Sequence, residues 1–359
     1  LTRTLKVSTE LRAKKVEATD SKLDELILIL NPNSQGGATG KNWNETYDKI
    51  RTFLPNRHRI VFTKKANDGT LIARKFLRAG YKNIVAVGGD GTLNEIANGF
   101  FNMKSKNKSA LYYTGFKLLP KLNLVNPKGV FWIVPSGTRN VLAASLGLPH
   151  QGIESFTRIR QMKKHKIDVI GVRVTDKDNP SIIHNRIVLN AAEMGAGAEI
   201  IDRSKRVRGK IGSRLLSTMA GIITTLPTYE SNICDIIMDG DKKITTNMTM
   251  GIVANGKFLG GRFNVAPRAD MSDGLLDIVI MKNAGSFKMV KKLVEMKGES
   301  QYTGEEDILY YRASEVAFMP KERNVTLSLD GEPVGILPAV FKVYRKALTI
   351  KAEVSVVDD

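Results

Sequence analysis

Sulfur and imidazole chemistry are scarce in this chain. A single cysteine, Cys234, stands among 359 residues. No internal disulfide is therefore available, and the composition suits a reducing compartment. Cys234 lies in the largely apolar stretch 232–238, which reads as a buried thiol rather than a nucleophile. The four histidines are scattered, and none pairs at metal-ligand spacing, so neither zinc chemistry nor a Ser–His–Asp hydrolase is indicated. No apolar run approaches the roughly 18 residues of a membrane-spanning helix. The clearest runs, Leu26–Leu30 and Ile84–Val87, are strand-sized. The first 24 residues lack the short apolar core of a secretory signal and read as a mixed-charge tail or surface helix. Aromatic residues make up only 7% of the chain, little surface on which to stack bases, so no nucleic-acid partner is expected.

Positive charge is abundant. Against 36 Asp and Glu stand 55 Lys and Arg, a formal charge of +19. Such a field draws polyphosphates or anionic lipid surfaces, although a generally basic proteome would give the same count. At this length two domains are expected. Residues 25–150 alternate strand and helix patterns. Glu25–Asn31, His58–Thr63, Asn83–Val87 and Gly129–Val134 read as strands, and Leu93, Ile96, Ala97 and Phe100 recur at helical spacing. Asn83–Val87 is apolar beyond its first residue, as a strand buried on both faces should be. The pattern predicts a mostly parallel α/β domain, with 102–127 as a long loop. From about Lys166 the texture turns to short strands separated by turns, with strongly helical runs only at 203–226 and 286–297, and the second domain is set at 151–359. A β-rich second domain is expected, and its last strands are free to return to the first domain.

Three short loops carry the chemistry. Gly88-Gly89-Asp90-Gly91-Thr92-Leu93-Asn94-Glu95 follows a buried strand and opens an amphipathic helix. Ligands of open α/β sheets bind beyond the carboxyl ends of the strands, where glycines admit a polyphosphate to backbone N–H groups. Asp90 beside phosphates makes sense with Mg²⁺ or as a proton acceptor. Asn31-Pro32-Asn33-Ser34-Gln35-Gly36-Gly37 and Pro135-Ser136-Gly137-Thr138-Arg139-Asn140 follow two other strands. At one sheet edge the three loops would form a single nucleotide cradle. The run from Gly36 to Gly40-Lys41 is one residue short of a P-loop, and Asn42 stands where Ser or Thr is needed. No G-x-G-x-x-G opens a helix in a βαβ unit.

These loops resemble those of the diacylglycerol kinase, sphingosine kinase and bacterial lipid kinase superfamily, and the likeness runs from about Leu26 to Val354. The second half also conforms, at Leu189-Asn190, Gly195–Ala198, Ala266-Pro267 through Asp273-Gly274, and Asp330-Gly331-Glu332. The resemblance implies an α/β nucleotide domain, a β-sandwich domain, and a cleft where ATP meets a lipid alcohol. It implies that Asn31, Ser34, Thr63, Gly89 through Glu95 and Thr138 line the ATP site. Glu332 would be the proton acceptor for the lipid hydroxyl, with Asp330 beside it, and Asp270, Asp273 and the backbone of Leu275 would match a structural Mg²⁺ site. An NAD kinase shares the G-G-D-G core, but Asn94-Glu95 and the second-half motifs argue against one. A binding protein without turnover is disfavoured by intact Asp90 and Glu332. The chain departs from the usual pattern at Gln35, where glycine is common, and at Val141, where most bacterial members carry Asp.

Within 203–226, Val207, Ile211, Leu215, Met219, Ile222 and Leu226 share one helical face, and Arg203, Arg206, Lys210 and Arg214 another. That pattern suits a helix lying on an anionic membrane surface, and equally a packing helix with a solvated basic face. A cytoplasmic, peripherally membrane-associated enzyme is expected, and a homodimer is compatible with it.

Overall fold

The computed structural model describes residues 25–352, apart from 104–118, 120, 149–151, 177, 180–181, 212–213, 261–262 and 283–305. The tail 1–24, the expected helix 286–297 and most of the 102–127 segment lie outside the described residues. The first half runs β1 (Leu26–Leu30), α1 (Ala38–Lys41), α2 (Trp43–Ile50), β2 (His58–Phe62), α3 (Asp68–Arg78), β3 (Asn83–Gly88), α4 (Asp90–Asn98), β4 (Phe101–Asn102), β5 (Asn123–Leu124), β6 (Val130–Pro135), α5 (Val141–Ser145) and α6 (Ile153–Thr157).

Strands β6, β3, β1 and β2 lie side by side in that order, and every pairing among them is parallel. Alternate side chains serve two cores. Ile27, Ile29, Ile84, Ala86, Phe131 and Ile133 face α3 and α4, while Leu28, Leu30, Val85, Val87, Trp132 and Val134 pack with α2 and α6. Burial on both faces explains why these strands read as continuous apolar runs. Helix α3 ends where Gly80 takes φ 92°, its N–H donating to Leu77 O while Tyr81 N–H reaches back to Phe76 O. Such a left-handed stop is cheapest for glycine.

The second half runs β7 (Lys163–Asp176), β8 (Ile183–Val188), β9 (Ala191–Gly195), α7 (Ala196–Ile211), α8 (Arg214–Thr225), β10 (Asn232–Met238), β11 (Lys242–Ala254), β12 (Phe258–Leu259), β13 (Phe263–Asn264), β14 (Leu276–Lys282), β15 (Ile308–Ala313), β16 (Glu315–Pro320), β17 (Thr326–Leu329) and β18 (Glu332–Ala352). Except where β18 meets β6, its pairings are antiparallel. A core of its own gathers Ile170, Met194, Ile236, Ile278, Phe318 and Phe341.

Two expectations change. The strands read at 340–344 and 348–354 are one long strand, β18, whose pairing with β7 slips between Tyr344 and Leu348, where Lys346 takes φ 47°. The far end of β18 joins β6 in parallel at Ile350 and Lys351, so the chain does return to its first sheet. The helix read over 203–226 is two helices, α7 and α8. Gly209, near the end of α7, weakens the helical run there. Further along, Gly221 lets α8 approach α7 so closely that a Cβ would lie 2.3 Å from Ser204 Oγ.

Candidate active site

At the carboxyl ends of β1, β3 and β6 the three loops meet. Asn31 N–H donates to Val87 O, Ser136 N–H to Gly88 O and Thr63 N–H to Leu30 O, stitching successive strand ends together. Gly89 and Gly137 pass so closely that a Cβ on Gly137 would sit 2.4 Å from Gly89 Cα. Any side chain there would force the loops apart. Asn31 folds its own loop by accepting from Asn33 N–H at 2.9 Å, and it donates to Thr92 Oγ1 at 3.1 Å. Gln35 stands at φ 55° in the left-handed region, which explains why glycine is usual at that position.

Around these loops opens a cleft of about 710 Å³. Asn31, Asn33, Ser34, Thr63, Gly89, Asp90, Gly91, Thr92, Asn94, Glu95, Gly137 and Thr138 all line it, and Asp330 and Glu332 line the opposite wall. Pro32, Gly88 and Leu93 stand behind the wall. Leu93 is fully buried in the core, and Gly88 is packed against Thr92, where a Cβ would meet that side chain at 2.7 Å. These three shape the loops from within.

Several lining residues hold the site rather than face its contents. Glu95 accepts from Asn67 N–H at 2.9 Å and Gly69 N–H at 3.3 Å, so its carboxylate satisfies the free amides at the start of α3. Asp330 is more heavily used. Its Oδ1 accepts from Asn190 N–H and Ala191 N–H, and its Oδ2 from Leu189 N–H and Asn94 Nδ2, at 2.5–3.0 Å. Burial pushes this carboxyl up to about 6 despite those donors. With four donors already on its oxygens, Asp330 is a clamp between the two halves and not a second base beside Glu332.

Asp90 opens α4 and accepts from Leu142 N–H, in the first turn of α5, at 3.0 Å. Glu332, the first residue of β18, is exposed to the cleft, and its Oε1 lies 3.5 Å from where a Gly91 Cβ would stand. One carboxylate thus comes from each half onto the glycine loop. Lys64, Lys65, Arg139 and Arg186 bring positive charge to the same cleft.

The other expected carboxylates are elsewhere. Asp270 accepts from Ser272 N–H and Oγ, closing its own turn. Asp273 accepts from Leu275 N–H through one oxygen and pairs with Arg312 through the other. A carboxylate already neutralised by a guanidinium is a poor cation ligand, and no group of three or more His, Cys, Asp or Glu suited to a metal occurs among the described residues. In this arrangement Asp270, Asp273 and Leu275 do not fit a divalent cation.

Sequence reading missed Asn98. This buried residue donates to Ile187 O and accepts from Ile187 N–H, both at 2.9 Å, and so pairs α4 with β8 as a strand would. Its place four residues after Asn94 was the available signal, since that spacing puts both amides on one helix face. Lys64, Lys65 and Arg186 carried no signal, because surface lysines and arginines are common throughout this basic chain.

The match to known proteins now follows the geometry. Residues 25–172 match the diacylglycerol kinase catalytic domain, and residues 190–352 match the YegS C-terminal NAD kinase beta sandwich-like domain. Along both halves the chain is thus similar to the diacylglycerol kinase and bacterial lipid kinase superfamily. Among its relatives, a lipid kinase YegS-like protein of Chromohalobacter salexigens is 27% identical over 278 residues, covering 76% of this chain and 77% of the relative. The diacylglycerol kinase of Bacillus subtilis is 26% identical over 286 residues, with 79% and 82% covered. A solved diacylglycerol kinase structure from Bacillus anthracis superposes with a TM-score of 0.64 at 21% identity, over 93% of this chain and 98% of that one, and so shares its fold. The likeness supports a kinase, and the three glycine loops fall within the region matched to the catalytic domain.

Proposed function

We propose that the chain transfers the γ-phosphate of ATP to a hydroxyl of a lipid alcohol such as a diacylglycerol or a sphingoid base. The observation that carries this reading is that Glu332 Oε1, from the second half, lies 3.5 Å from where a Cβ on Gly91 of the first-half glycine loop would stand. An acceptor hydroxyl and a polyphosphate would be brought together there. The nucleotide's phosphates would lie along the main-chain amides of 89–92 and 137–138, with the N-termini of α4 and α5 adding positive potential. Lys64, Lys65 and Arg186 line the same cleft and offset phosphate charge. Mg²⁺ arriving with ATP would neutralise further charge, and Asp90, which lines the cleft, would be the carboxylate to meet it.

Glu332 takes the proton of the acceptor hydroxyl as its oxygen bonds to the γ-phosphorus, and the bond to the β–γ bridging oxygen breaks to release ADP. General-base assistance of this kind contributes roughly 10²–10⁴-fold. Such a substrate sits in a bilayer, while no helix among the described residues is long and apolar enough to cross a membrane. Contact with an anionic surface would fall to the α7–α8 pair, where Leu216 and Ile223 are each 57% exposed.

The test is transfer of radiolabel from [γ-³²P]ATP to a panel of lipid alcohols, with NAD included as a competing acceptor. Label in the organic phase supports the proposal. Label in NAD, or in no acceptor, overturns it.

A further inference from the structure

Beyond the transfer cleft the cavity continues into the second half through a neck. The cleft shares Asp90, Arg139, Asp330 and Gly331 with a space of about 70 Å³, which in turn shares Glu193, Ile201, Leu259 and Gly260 with a third space of about 60 Å³. The walls change character along this path. Near Asp90 they are polar, and past Gly260 they are made by Ile200, Ile222, Met250, Ile252, Phe263 and Val265. Arg139 borders all three spaces, and Glu193 borders the inner two.

Glu193 is an anomaly in its surroundings. It is the only ionisable residue of β9, whose other members Ala191, Ala192, Met194 and Gly195 are buried. On one side β9 pairs with β11, on the other with β17, placing Ile252 and Ser328 opposite Glu193. Neither neighbour carries charge. Among the described residues, the charged groups that bear on its carboxyl are Arg139 from the first half and the clamped Asp330, with Asp90 across the outer space. A carboxyl is costly at the mouth of an apolar recess unless it has work there.

We infer that Glu193, together with Arg139, reads the polar part of the lipid next to the acceptor hydroxyl, and that it selects an uncharged ester lipid over a cationic amino alcohol. This inference deepens the proposed kinase reading and rests on it. An ester carbonyl is an acceptor only, and both Arg139 and a neutral Glu193 are donors. An ammonium group is a donor only. In the neck it would meet the Arg139 guanidinium and a carboxylic acid that has no charge to offer it. Burial raises the Glu193 carboxyl to about 8, with Arg139 opposing the shift and Asp330 adding to it. At neutral pH the group is therefore mostly protonated, while Asp330, at about 6, is mostly ionised. As pH rises through 8, Glu193 loses its proton, ceases to donate and pairs with Arg139.

The test compares the wild type, Glu193→Gln and Glu193→Ala from pH 6.5 to 9.5. The acceptors are a short-chain diacylglycerol and a sphingoid base, and binding of a fluorescent ATP analogue is measured alongside. Glutamine keeps the shape and a donor, but cannot ionise. At pH 7 the Gln variant should keep kcat/KM for diacylglycerol within about threefold. The Ala variant should lose about tenfold or more, chiefly in KM, the roughly 1.4 kcal/mol of one hydrogen bond. Wild-type kcat/KM for diacylglycerol should fall as pH passes 8, and that fall should be missing in the Gln variant. Affinity for the ATP analogue should be unchanged in all three. A wild type that prefers the sphingoid base and loses it on Glu193→Gln would overturn the inference, as would Ala and wild type behaving alike. Either outcome leaves the kinase reading standing. A wild type that binds the ATP analogue but phosphorylates no lipid alcohol overturns the kinase reading and this inference with it.

Discussion

Two walls of one cleft are built by different means. On the nucleotide side, loops 31–37, 88–95 and 135–140 present main-chain amides, held by parallel strands and by the contact of Gly89 with Gly137. On the acceptor side, Glu332, Asp330, Glu193 and Arg186 are single side chains on separate strands or turns, brought together by antiparallel pairing far along the chain. Backbone geometry tolerates almost any neighbouring side chain, whereas a side-chain wall can change with each substitution. Under the proposed function, nucleotide binding would rest on the backbone, and acceptor choice on side chains that single substitutions can change.

The sharpest way to break that contrast is Asp90→Asn. Asp90 belongs to the proposed nucleotide loop and in the proposed reaction would face the phosphates, so removing this preorganised electrostatic group should lower transfer by about 10²–10³-fold. The Leu142 N–H can still donate to the amide oxygen, so a thermal melt should stay close to wild type. Near-normal transfer by the folded variant would remove Asp90 from the mechanism.

Next in size is Asn98→Ala. The substitution leaves the Ile187 N–H and C=O unpaired in a buried setting, and should cost about 1–3 kcal/mol in urea unfolding. Because this pair joins α4 to β8, activity should fall with stability. Gly137→Ala tests the nucleotide wall directly. The new methyl collides with Gly89 Cα and should cost about 1–3 kcal/mol, together with weaker ATP binding measured by calorimetry. Unchanged ATP affinity would show that the two glycines are not the cradle.

The smallest effect is expected at the membrane. Basic side chains near an anionic surface contribute on the order of 1 kcal/mol each before screening. Arg203 and Arg206 already pair with Glu199 and Asp202, and Arg203 also donates to Thr224 O across the helix pair. Replacing Arg203, Arg206, Lys210 and Arg214 by Gln should therefore reduce, rather than abolish, salt-sensitive sedimentation with anionic vesicles. Equal pelleting at low salt would assign these helices to packing alone.

The same contrast decides what could be read from the sequence. The parallel strands and their glycine loops were legible because apolar runs, turn glycines and polar loop residues are local signals, and the local chain makes them. Asp90 was singled out through the loop that holds it, and Glu332 through the family resemblance. The clamp role of Asp330 and the neck at Glu193 were not legible, since each depends on partners tens to hundreds of residues away, and for Asn98 the spacing from Asn94 marked the helix face but not Ile187 as the partner. The break between α7 and α8 was masked by an apolar stripe that continues across Gly212. The return of β18 to β6 was anticipated only as a topology, because parallel pairing of a last strand with an early one has no local mark.

The central claim, that the nucleotide wall binds and the acceptor wall activates, is tested most directly by Glu332→Gln. One preparation serves for both ATP affinity, by calorimetry, and single-turnover transfer to diacylglycerol at saturating ATP. A base acts in the transition state and not in nucleotide binding, so the ATP Kd should stay within about twofold while transfer falls by at least about 10²-fold. A variant that loses ATP binding, yet transfers phosphate at the wild-type rate once saturated, would contradict the account.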